Sequence, residues 1–257
     1  MPNLSAVVIT RNEEANIKRC LLSLQIADEI IVVDSGSTDR TIEIAENLGA
    51  KVYVKEWAGY GFAKKEGVSK AFGKWIISLD ADEELSPELA KEISTAVLSE
   101  TGDSGFYIKR KTNFLGRWIY HCGWYPDYIL RLFKKEDGDF NESVVHEKVI
   151  LNGRVGYLKA EILHYSYNTI EHYFEKFATY TTLGAEQAYK SGKKSRWFHI
   201  VFKPPVSFIK HYFIKLGFLD GLEGFIISAF SAMAVMVKYS KLRHLIKQGK
   251  SGDDTNA

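Results

Sequence analysis

The stretch WIISLDADEEL, residues 75–85, joins a run of apolar side chains directly to four carboxylates. Residues 75–79 have the composition of a buried strand, and the acidic residues follow at once. They are Asp80, Asp82, Glu83 and Glu84. Carboxylates this close together destabilise a fold unless a cation lies beside them. Asp80 and Asp82 are two residues apart, so on an extended backbone they would point to one side and suit Mg²⁺ or Mn²⁺.

A helix start explains part of this charge without a metal. In SPEL, residues 86–89, Ser86 has the character of an N-cap and Pro87 that of a first helical residue. Acidic side chains are common beside helix N-termini. This accounts for the two glutamates but leaves the two aspartates unexplained.

Residues 4–80 alternate between strand-like and helix-like patterns. The apolar runs predict four strands, at LSAVVIT (4–10), at DEIIVVDSGSTD (28–39) where a polar turn follows the strand, at KVYVKEW (51–57) and at WIISLD (75–80). The stretches between them predict three helices, at 12–24 with Asn12 as N-cap, at 41–50 and at 59–72. This order predicts a Rossmann-like α/β layer with a mainly parallel sheet.

Polar residues follow the strands at the edge where open α/β sheets bind ligands. They are Thr10, Asn12, Glu13, Asp34, Ser35, Asp80 and Asp82. Their convergence predicts a nucleotide at the strand ends, with a metal on its diphosphate. The chain has no G-x-G-x-x-G after the first strand and no G-x-x-x-x-G-K-[ST] loop, which disfavours a dinucleotide cofactor or a P-loop. The stretch TRNEEAN (10–16) is not the Gly-rich basic loop expected of a nucleotidyltransferase.

The composition is that of a globular protein, with 257 residues of which 46% are hydrophobic and 26% charged. This length fits one large domain, or one domain with an appendage. Cys20 and Cys122 lie far apart without metal-type spacing, which favours a reducing compartment. The N-terminal MPNLSAVVITRNEE lacks the pattern of a secretory signal.

The net charge of +2 conceals a basic C-terminal part. Residues 193–250 hold eleven Lys or Arg and two acids, a net of +9, whereas residues 1–192 have 23 basic and 28 acidic residues, a net of −5. This asymmetry indicates an anionic surface as a partner, and we expect lipid rather than nucleic acid.

The C-terminal part also carries apolar helical segments. Residues 168–189 have helical periodicity, residues 197–219 mix aromatic residues with lysines around a Pro204–Pro205 break, and residues 224–237 contain no charge. Fourteen uncharged residues are fewer than the roughly 20 that span a bilayer. We therefore expect helices that lie on the membrane surface, against the alternative of a buried core helix beside a solvated basic face.

The N-terminal half resembles the family 2 glycosyltransferases of the GT-A fold. The matching stretches are AVVITRNEEANIKRCLLSL, DEIIVVDSGSTDRTIEIAE and WIISLDADEEL, within residues 4–85. The resemblance implies an inverting sugar transfer from a nucleotide-activated donor, most simply a UDP-sugar. Asp34 matches the aspartate that contacts the base or ribose. Asp80 and Asp82 match the D-x-D motif, with Asp82 as the direct metal ligand and Asp80 nearer the ribose.

The second half is similar to the lipopolysaccharide core β-glucosyltransferases, through WYPDYILRLFKK (124–135), VVHEKV (144–149) and LHYSY (163–167). This resemblance implies glucose as the sugar and a lipid-linked saccharide as acceptor. It also implies a bacterial protein that works on the cytoplasmic face of the inner membrane.

An inverting transfer needs a general base for the acceptor hydroxyl and a means to neutralise the departing diphosphate. The family's acidic motif beyond the D-x-D favours Glu147 as the base over Asp127, which could instead bind the acceptor. The alternative for Glu147 is a salt bridge to Lys148 or Arg154.

The resemblance also makes His164 a candidate third metal ligand, although a lone histidine is often only a hydrogen-bonded core residue. His146 would ligate the metal or orient Glu147. Arg131, among apolar neighbours, would grip a donor phosphate or pair with Glu147 or Asp127. The aromatic residues that could stack on a sugar, or belong to the core, are Trp118, Trp124 and Tyr125.

We thus predict a GT-A α/β domain over residues 1–167, with a mixed sheet flanked by helices. A helical, basic, membrane-surface extension over residues 168–250 and a disordered tail over residues 251–257 would follow. Two other functions stay open. A polyprenyl-phosphate glycosyltransferase would share the N-terminal half and need no strong base, and a nucleotide-sugar or glycolipid binding module would need no metal.

Overall fold

The structure is a computed structural model, and it describes residues 3–99, 102–141 and 147–253, with side chains described as far as residue 248. The chain divides into two compact units. The first comprises residues 1–111 and 126–165, and the second residues 112–125 and 166–257. The tail predicted to be disordered is helical up to Asp253, and its residues 254–257 lie outside the described part of the chain.

The described strands are β1 (Leu4–Thr10), β2 (Glu29–Asp34), β3 (Lys51–Val54), β4 (Trp75–Asp80), β5 (Glu83–Leu85), β6 (Asp103–Phe114), β7 (Arg117–Trp118), β8 (Asp127–Lys134), β9 (Gly138–Phe140), β10 (Val149–Leu151) and β11 (Arg154–Tyr167). The α-helices are α1 (Ile17–Ser23), α2 (Thr41–Asn47), α3 (Tyr60–Lys70), α4 (Pro87–Leu98), α5 (Ile170–Lys190), α6 (Trp197–Ile209) and α7 (Gly221–Asp253). A π-helical turn at Lys210–Ile214 and a 3₁₀ turn at Gly217–Asp220 separate α6 from α7.

The main sheet is mixed, with the strand order β3-β2-β1-β4-β8-β6-β11-β5 and β7 paired to β6. The first four strands are parallel to one another, as the alternating pattern predicts. Beyond them, β8 pairs antiparallel with β4 and β6, and β5 pairs antiparallel with β11. Helices flank this sheet, which confirms the predicted α/β class.

The core of the first unit lies on both faces of the parallel strands, because each of these strands is apolar at nearly every position. All seven residues of β1 are buried. Its alternate side chains join two clusters, one around Val8 and Ile77, the other around Val7 and Ile31. Burial on both faces fixes the register, so the last residues of β1, β2 and β4 lie at one edge of the sheet.

Two local predictions about the helices are wrong, and one is confirmed. The first helix begins at Ile17, and Asn12 is not its N-cap but has a left-handed φ of 54° in the preceding loop. The expected break at Pro204–Pro205 is also wrong, since α6 continues through both prolines. Ser86 is the predicted N-cap of α4, and its Oγ accepts a hydrogen bond of 3.1 Å from the amide of Leu89.

Close packing explains why α3 contains glycine. A Cβ atom on Gly67 would lie 2.3 Å from Cγ1 of Val7, so only glycine allows α3 to pack this near β1. Lys64 precedes Gly67 by three residues, which places it on the same buried face of the helix. The packing of α3 thereby carries a lysine into the interior of the first unit, where no surface of Lys64 remains exposed.

Candidate active site

Two loops meet beyond the carboxyl ends of β1 and β2. The carboxylate of Asp34 has no exposed surface and accepts hydrogen bonds from the amides of Gly36 (2.8 Å) and Ser37 (2.7 Å). Oδ1 of Asn12 accepts a hydrogen bond of 2.8 Å from the amide of Thr38. The amide of Ser35 donates to the carbonyl of Thr10 over 3.0 Å. These bonds stabilise the loop after β2 against the loop after β1.

The predicted donor-binding residues of this region differ in which of their polar atoms could still bind a ligand. Asp34, Asn12 and Ser35 take part in the loop bonds described above. Glu13 bonds through its amide to Thr41 Oγ1, at 2.8 Å, and accepts a hydrogen bond of 2.7 Å from Asn16. The hydroxyl of Thr10 is buried and has no hydrogen-bond partner among the described residues. A buried hydroxyl of this kind is suited to bind a ligand.

Asp80, the last residue of β4, lies between two buried cations. Nζ of Lys64 is 2.9 Å from its Oδ1, and Nη2 of Arg131 is 2.8 Å from its Oδ2. Burial alone would raise the pKa of the Asp80 carboxyl, but Arg131 and Lys64 outweigh burial and hold this pKa far below its ordinary value. Asp80 is therefore ionised throughout the neutral range.

A β-bulge directs Arg131 into this position. Across β6 and β8, Phe106 pairs with Leu132 but Tyr107 pairs with Leu130, so Arg131 is an extra residue without a partner in the register. Such an insertion changes the direction of a side chain, and bulges are frequent beside active sites. Arg131 also lies 3.1 Å from Oε1 of Glu83. The predicted alternative pairing of Arg131 with Glu147 or Asp127 is wrong, because its two ion pairs are with Asp80 and Glu83.

The two candidate bases have separate cationic partners. Oε1 of Glu147 lies 2.5 Å from Nζ of Lys64. Asp127 accepts two hydrogen bonds from Arg110, at 3.0 and 2.7 Å from Nε and Nη2 to the same oxygen. Arg154, one expected partner of Glu147, pairs with Asp103 instead.

Asp82 does not extend β4 but lies in the turn between β4 and β5. The extended-backbone premise therefore fails, and the two aspartates of the D-x-D have different surroundings. Nε2 of His164 on β11 is 3.3 Å from Oδ2 of Asp82. The antiparallel pairing of β5 with β11 brings them together, because His164 lies opposite Glu83 in the register.

The structure brings together two of the three predicted metal ligands. Asp82 and His164 are adjacent, while Asp80 contacts Lys64 and Arg131. Within the described residues, no three His, Cys, Asp or Glu side chains form a metal cluster. His146 lies outside the described residues. The pair of an oxygen and an imidazole ligand still suits Mn²⁺ or Mg²⁺ if a diphosphate supplies further oxygens.

Charge in the site also suits a divalent cation. The cluster contains five carboxylates, from Asp80, Asp82, Glu83, Asp127 and Glu147, against three cations, from Lys64, Arg110 and Arg131. Counted without His164, these charges sum to −2, which one divalent ion balances. Sequence reasoning missed the cations Lys64 and Arg110 and the buried Glu83. In the sequence, only the position of Lys64 three residues before Gly67, on the same face of α3, could have indicated that this lysine is buried.

The second unit contains the remaining predicted aromatic residues. Trp124 packs against Phe114 and Tyr167 at ring-centroid distances of 5.9 and 5.5 Å. It is a partly buried member of a core cluster with Tyr173 and Ile227, which favours the core explanation for this residue.

Comparison with known proteins identifies the family. Residues 5–146, more than half of the chain, match the model of glycosyl transferase family 2. An uncharacterized glycosyltransferase of Rickettsia felis is 35% identical over 98% of this chain and 93% of its own. The lipopolysaccharide core biosynthesis glycosyltransferase LpsC of Rhizobium meliloti is 29% identical over 98% of this chain and 96% of its own.

A solved structure, residues 1–349 of TarS from S. aureus, aligns with a TM-score of 0.47 at 19% identity, covering 96% of this chain and 92% of that one. This similarity is too low to add to the assignment, which rests on the sequence matches and on the observed sheet. The predicted GT-A type of α/β fold agrees with both. The chain belongs to glycosyl transferase family 2.

Proposed function

We propose that this protein is a metal-dependent, inverting hexosyltransferase that moves a sugar from a nucleotide donor to a lipid-linked saccharide. UDP-glucose is the first candidate donor, and the lipopolysaccharide inner core is the first candidate acceptor. The observation that carries the proposal is the site at the ends of β1, β2 and β4, where Asp82 with His164 adjoins Asp80 with Lys64 and Glu147.

The nucleotide would lie over the loops that follow β1 and β2. The carboxylate of Asp34 keeps these loops in place through the amides of Gly36 and Ser37. The unpartnered hydroxyl of Thr10 is available to the ligand at the same edge. The ion pairs of Asp80 hold the strand end rigid beneath the donor, because both of its carboxylate oxygens contact a buried cation.

The leaving diphosphate needs positive charge. Asp82 and His164 would hold a divalent cation, which as a Lewis acid neutralises charge on the leaving group. Nη2 of Arg131 contacts both Asp80 and Glu83, so we assign this side chain to the support of the site rather than to the phosphate. The pKa of its guanidinium, which burial alone would lower, is raised by these two carboxylates, so Arg131 stays charged.

Glu147 is the better candidate for the general base. Its carboxylate faces a single ammonium group, whereas both bonding nitrogens of Arg110 engage one oxygen of Asp127. A base must be free to take a proton from the acceptor hydroxyl during the displacement. The ion pair with Lys64 orients Glu147 until that step, and Asp127 serves to fix β8 against β6.

A lipid-linked acceptor fits the surface of the second unit. The helix α6 has no buried residue, and its exposed apolar side chains include Trp197 (60% exposed), Phe202 (60%) and Val206 (64%). Lys203 is exposed within this helix, and exposed lysines flank it at 194 and 210. Aromatic and apolar residues mixed with lysines are typical of helices that lie in the headgroup region of anionic membranes. The similarity to the lipopolysaccharide core biosynthesis glycosyltransferase of Rhizobium meliloti supports the choice of lipopolysaccharide core.

The long helix α7 adds a further membrane feature. The stretch Gly217–Gln248 has the length and composition of a membrane-crossing helix, and 22% of its most apolar 18-residue segment is buried. Core helices of water-soluble proteins share this length and composition. We propose a peripheral position on the cytoplasmic face of the inner membrane, in keeping with the apolar and basic surface of α6.

The test is the slow hydrolysis of a panel of nucleotide sugars by the purified protein, with Mn²⁺ or Mg²⁺ and then with EDTA. We expect one donor to release its nucleotide, and both EDTA and Asp82→Asn to abolish that release. Asp137→Asn, on the turn between β8 and β9, is the control and should retain activity. The proposal would be refuted if no donor in the panel released its nucleotide and if UDP also failed to bind in the presence of the metal.

A further inference from the structure

Three tyrosines contact one another on the exposed face of β8, β6 and β11. The rings of Tyr107 and Tyr157 stack with centroids 5.4 Å apart, and the ring of Tyr128 meets Tyr157 edge-on at 5.4 Å. Cross-strand packing of aromatic rings stabilises sheets. It does not explain why Tyr157 remains 65% exposed and Tyr128 46% exposed. Large parts of two rings are thus open to solvent on a rigid sheet.

The neighbouring residues fix which other side chains share this face. Nζ of Lys111 on β6 lies 2.5 Å from Oε2 of Glu161 on β11. The stacked tyrosines lie four residues earlier on each strand. Since side chains alternate with a period of two, residues 109 and 159, midway between these contacts, point to the same side as the tyrosines.

Both of those residues are lysines, and neither has an ion-pair partner among the described side chains. Lys109 lies opposite Tyr128 in the register of β6 and β8, and Lys159 is exposed. Like charges on adjacent strands destabilise a sheet. Their position beside exposed rings is therefore unexplained by the stability of the fold, and it is complementary to an anion.

We propose that the tyrosine–lysine face, formed by Tyr107, Tyr128, Tyr157, Lys109 and Lys159, binds an acidic saccharide. The exposed rings of Tyr157 and Tyr128 offer a flat apolar surface with polar hydroxyls at its edge, which matches the amphipathic face of a sugar ring. Lys109 and Lys159 bind the carboxylate or phosphate of that sugar through charge-assisted hydrogen bonds.

The tyrosine–lysine face is separate from the proposed donor site, because Arg110 and Asp127, the neighbours of Lys109 and Tyr128 along their strands, point to the other side of the sheet. Its natural ligand would be an acidic part of the acceptor, an assignment that rests on the proposed function. Saccharide binding itself does not, so its test uses the full-length protein without nucleotide or metal, where a lack of transferase activity has no influence.

Saturation-transfer NMR titrations with four probes test this inference. The probes are a trisaccharide of galacturonic acid, the corresponding trisaccharide of galactose, galactose 6-phosphate and inorganic phosphate. We expect at least one of the two acidic sugars to bind, more tightly than the neutral trisaccharide, and the stronger of the two identifies the acidic group. Tyr157→Ala should weaken binding at least fivefold, and so should the double variant Lys109→Gln/Lys159→Gln.

The control variants carry the same changes elsewhere. Tyr189→Ala on α5 removes another partly exposed tyrosine, and Lys91→Gln on α4 removes another exposed lysine. Both should bind as the wild type does. The double lysine variant changes one half-buried and one exposed lysine, neither of which has an ion-pair partner among the described side chains, so it remains informative if Tyr157→Ala unfolds. The inference is overturned if neither acidic sugar binds, if the neutral trisaccharide binds as tightly, if inorganic phosphate displaces the sugar completely, or if the controls lose as much affinity.

Discussion

Nζ of Lys64, a side chain with no exposed surface, lies 2.5 Å from Oε1 of Glu147. The same ammonium group lies 2.9 Å from Oδ1 of Asp80. One buried lysine thus holds the carboxylate that we assign as the base and the first aspartate of the D-x-D motif. Removal of this charge would leave two largely buried carboxylates without their shared partner.

We therefore expect Lys64→Met to lower the free energy of unfolding by about 3 kcal/mol, the usual cost of a buried charge left without its partner. Lys70→Met on the same helix removes an exposed pair with Glu66 and a cation–π contact of 5.8 Å with Tyr53, which together are worth about 1 kcal/mol or less. Urea denaturation of both variants measures the difference. Equal stability of the two variants would show that Lys64 is not needed to balance this charge.

The role of Glu147 is separable from that of Lys64. We expect Glu147→Gln to lower kcat by roughly 10²–10⁴-fold, the usual contribution of a general base, with little change in the KM of the donor. Glu136→Gln, an exposed residue after β8, is the matched control. Transfer by Glu147→Gln at near the wild-type rate would exclude Glu147 as the base and would favour attack by a phosphate acceptor, which needs no strong base.

The parallel strands could be predicted well because a strand that is buried on both faces is a continuous run of apolar residues. Strand β4 was predicted at its observed bounds, and the N-cap Ser86 agrees with the structure. In the site, the alternation of elements was enough to place Asp34, Asp80 and Asp82 at one sheet edge. Partners could not be predicted, since Lys64 reaches Asp80 from a helix and Arg131 reaches it through a bulge. A single sequence contains no clear pattern that predicts how closely a helix packs on a sheet or where the register of two strands shifts.

Asn12 shows a different limit. An asparagine before a helical pattern fits an N-cap, but asparagine also tolerates a left-handed backbone. Tertiary bonds from Asn12 to Ser37 and Thr38 favour the second conformation, at 2.8 Å in both cases. A local pattern cannot choose between these conformations when the deciding partners lie some 25 residues away.

The two thiols give a prediction on pH dependence. Burial raises the pKa of Cys122 to about 11 and also raises the pKa of Cys20, which nearby Glu83 and Asp82 raise further. Both native thiols should be unreactive toward a disulfide reagent at pH 8, and both should react in guanidinium. Because folding favours the protonated thiol, stability should fall as the pH rises from about 9, the unfolded value, toward about 11. Rapid labelling of either cysteine in the native protein at pH 8 would contradict this.

The exposed apolar surface of α6 predicts membrane binding. We expect the full-length protein to sediment with vesicles of phosphatidylcholine and phosphatidylglycerol, and to bind less to phosphatidylcholine alone or at high salt. The double variant Phe202→Ser/Val206→Ser should weaken this binding. Leu98→Ser, which changes a residue that is 78% exposed on α4, should leave it unchanged. Equal binding by both variants would exclude α6 as the membrane contact.

The most direct test of the site is calorimetric titration of Mn²⁺ in the presence of UDP, because it asks whether Asp82 and His164 act as metal ligands. We expect the wild type and Asp137→Asn to bind the metal with equal affinity. Asp82→Asn and His164→Ala should each weaken metal binding at least tenfold. Wild-type affinity in both ligand variants would contradict the metal site at the heart of the proposed transfer.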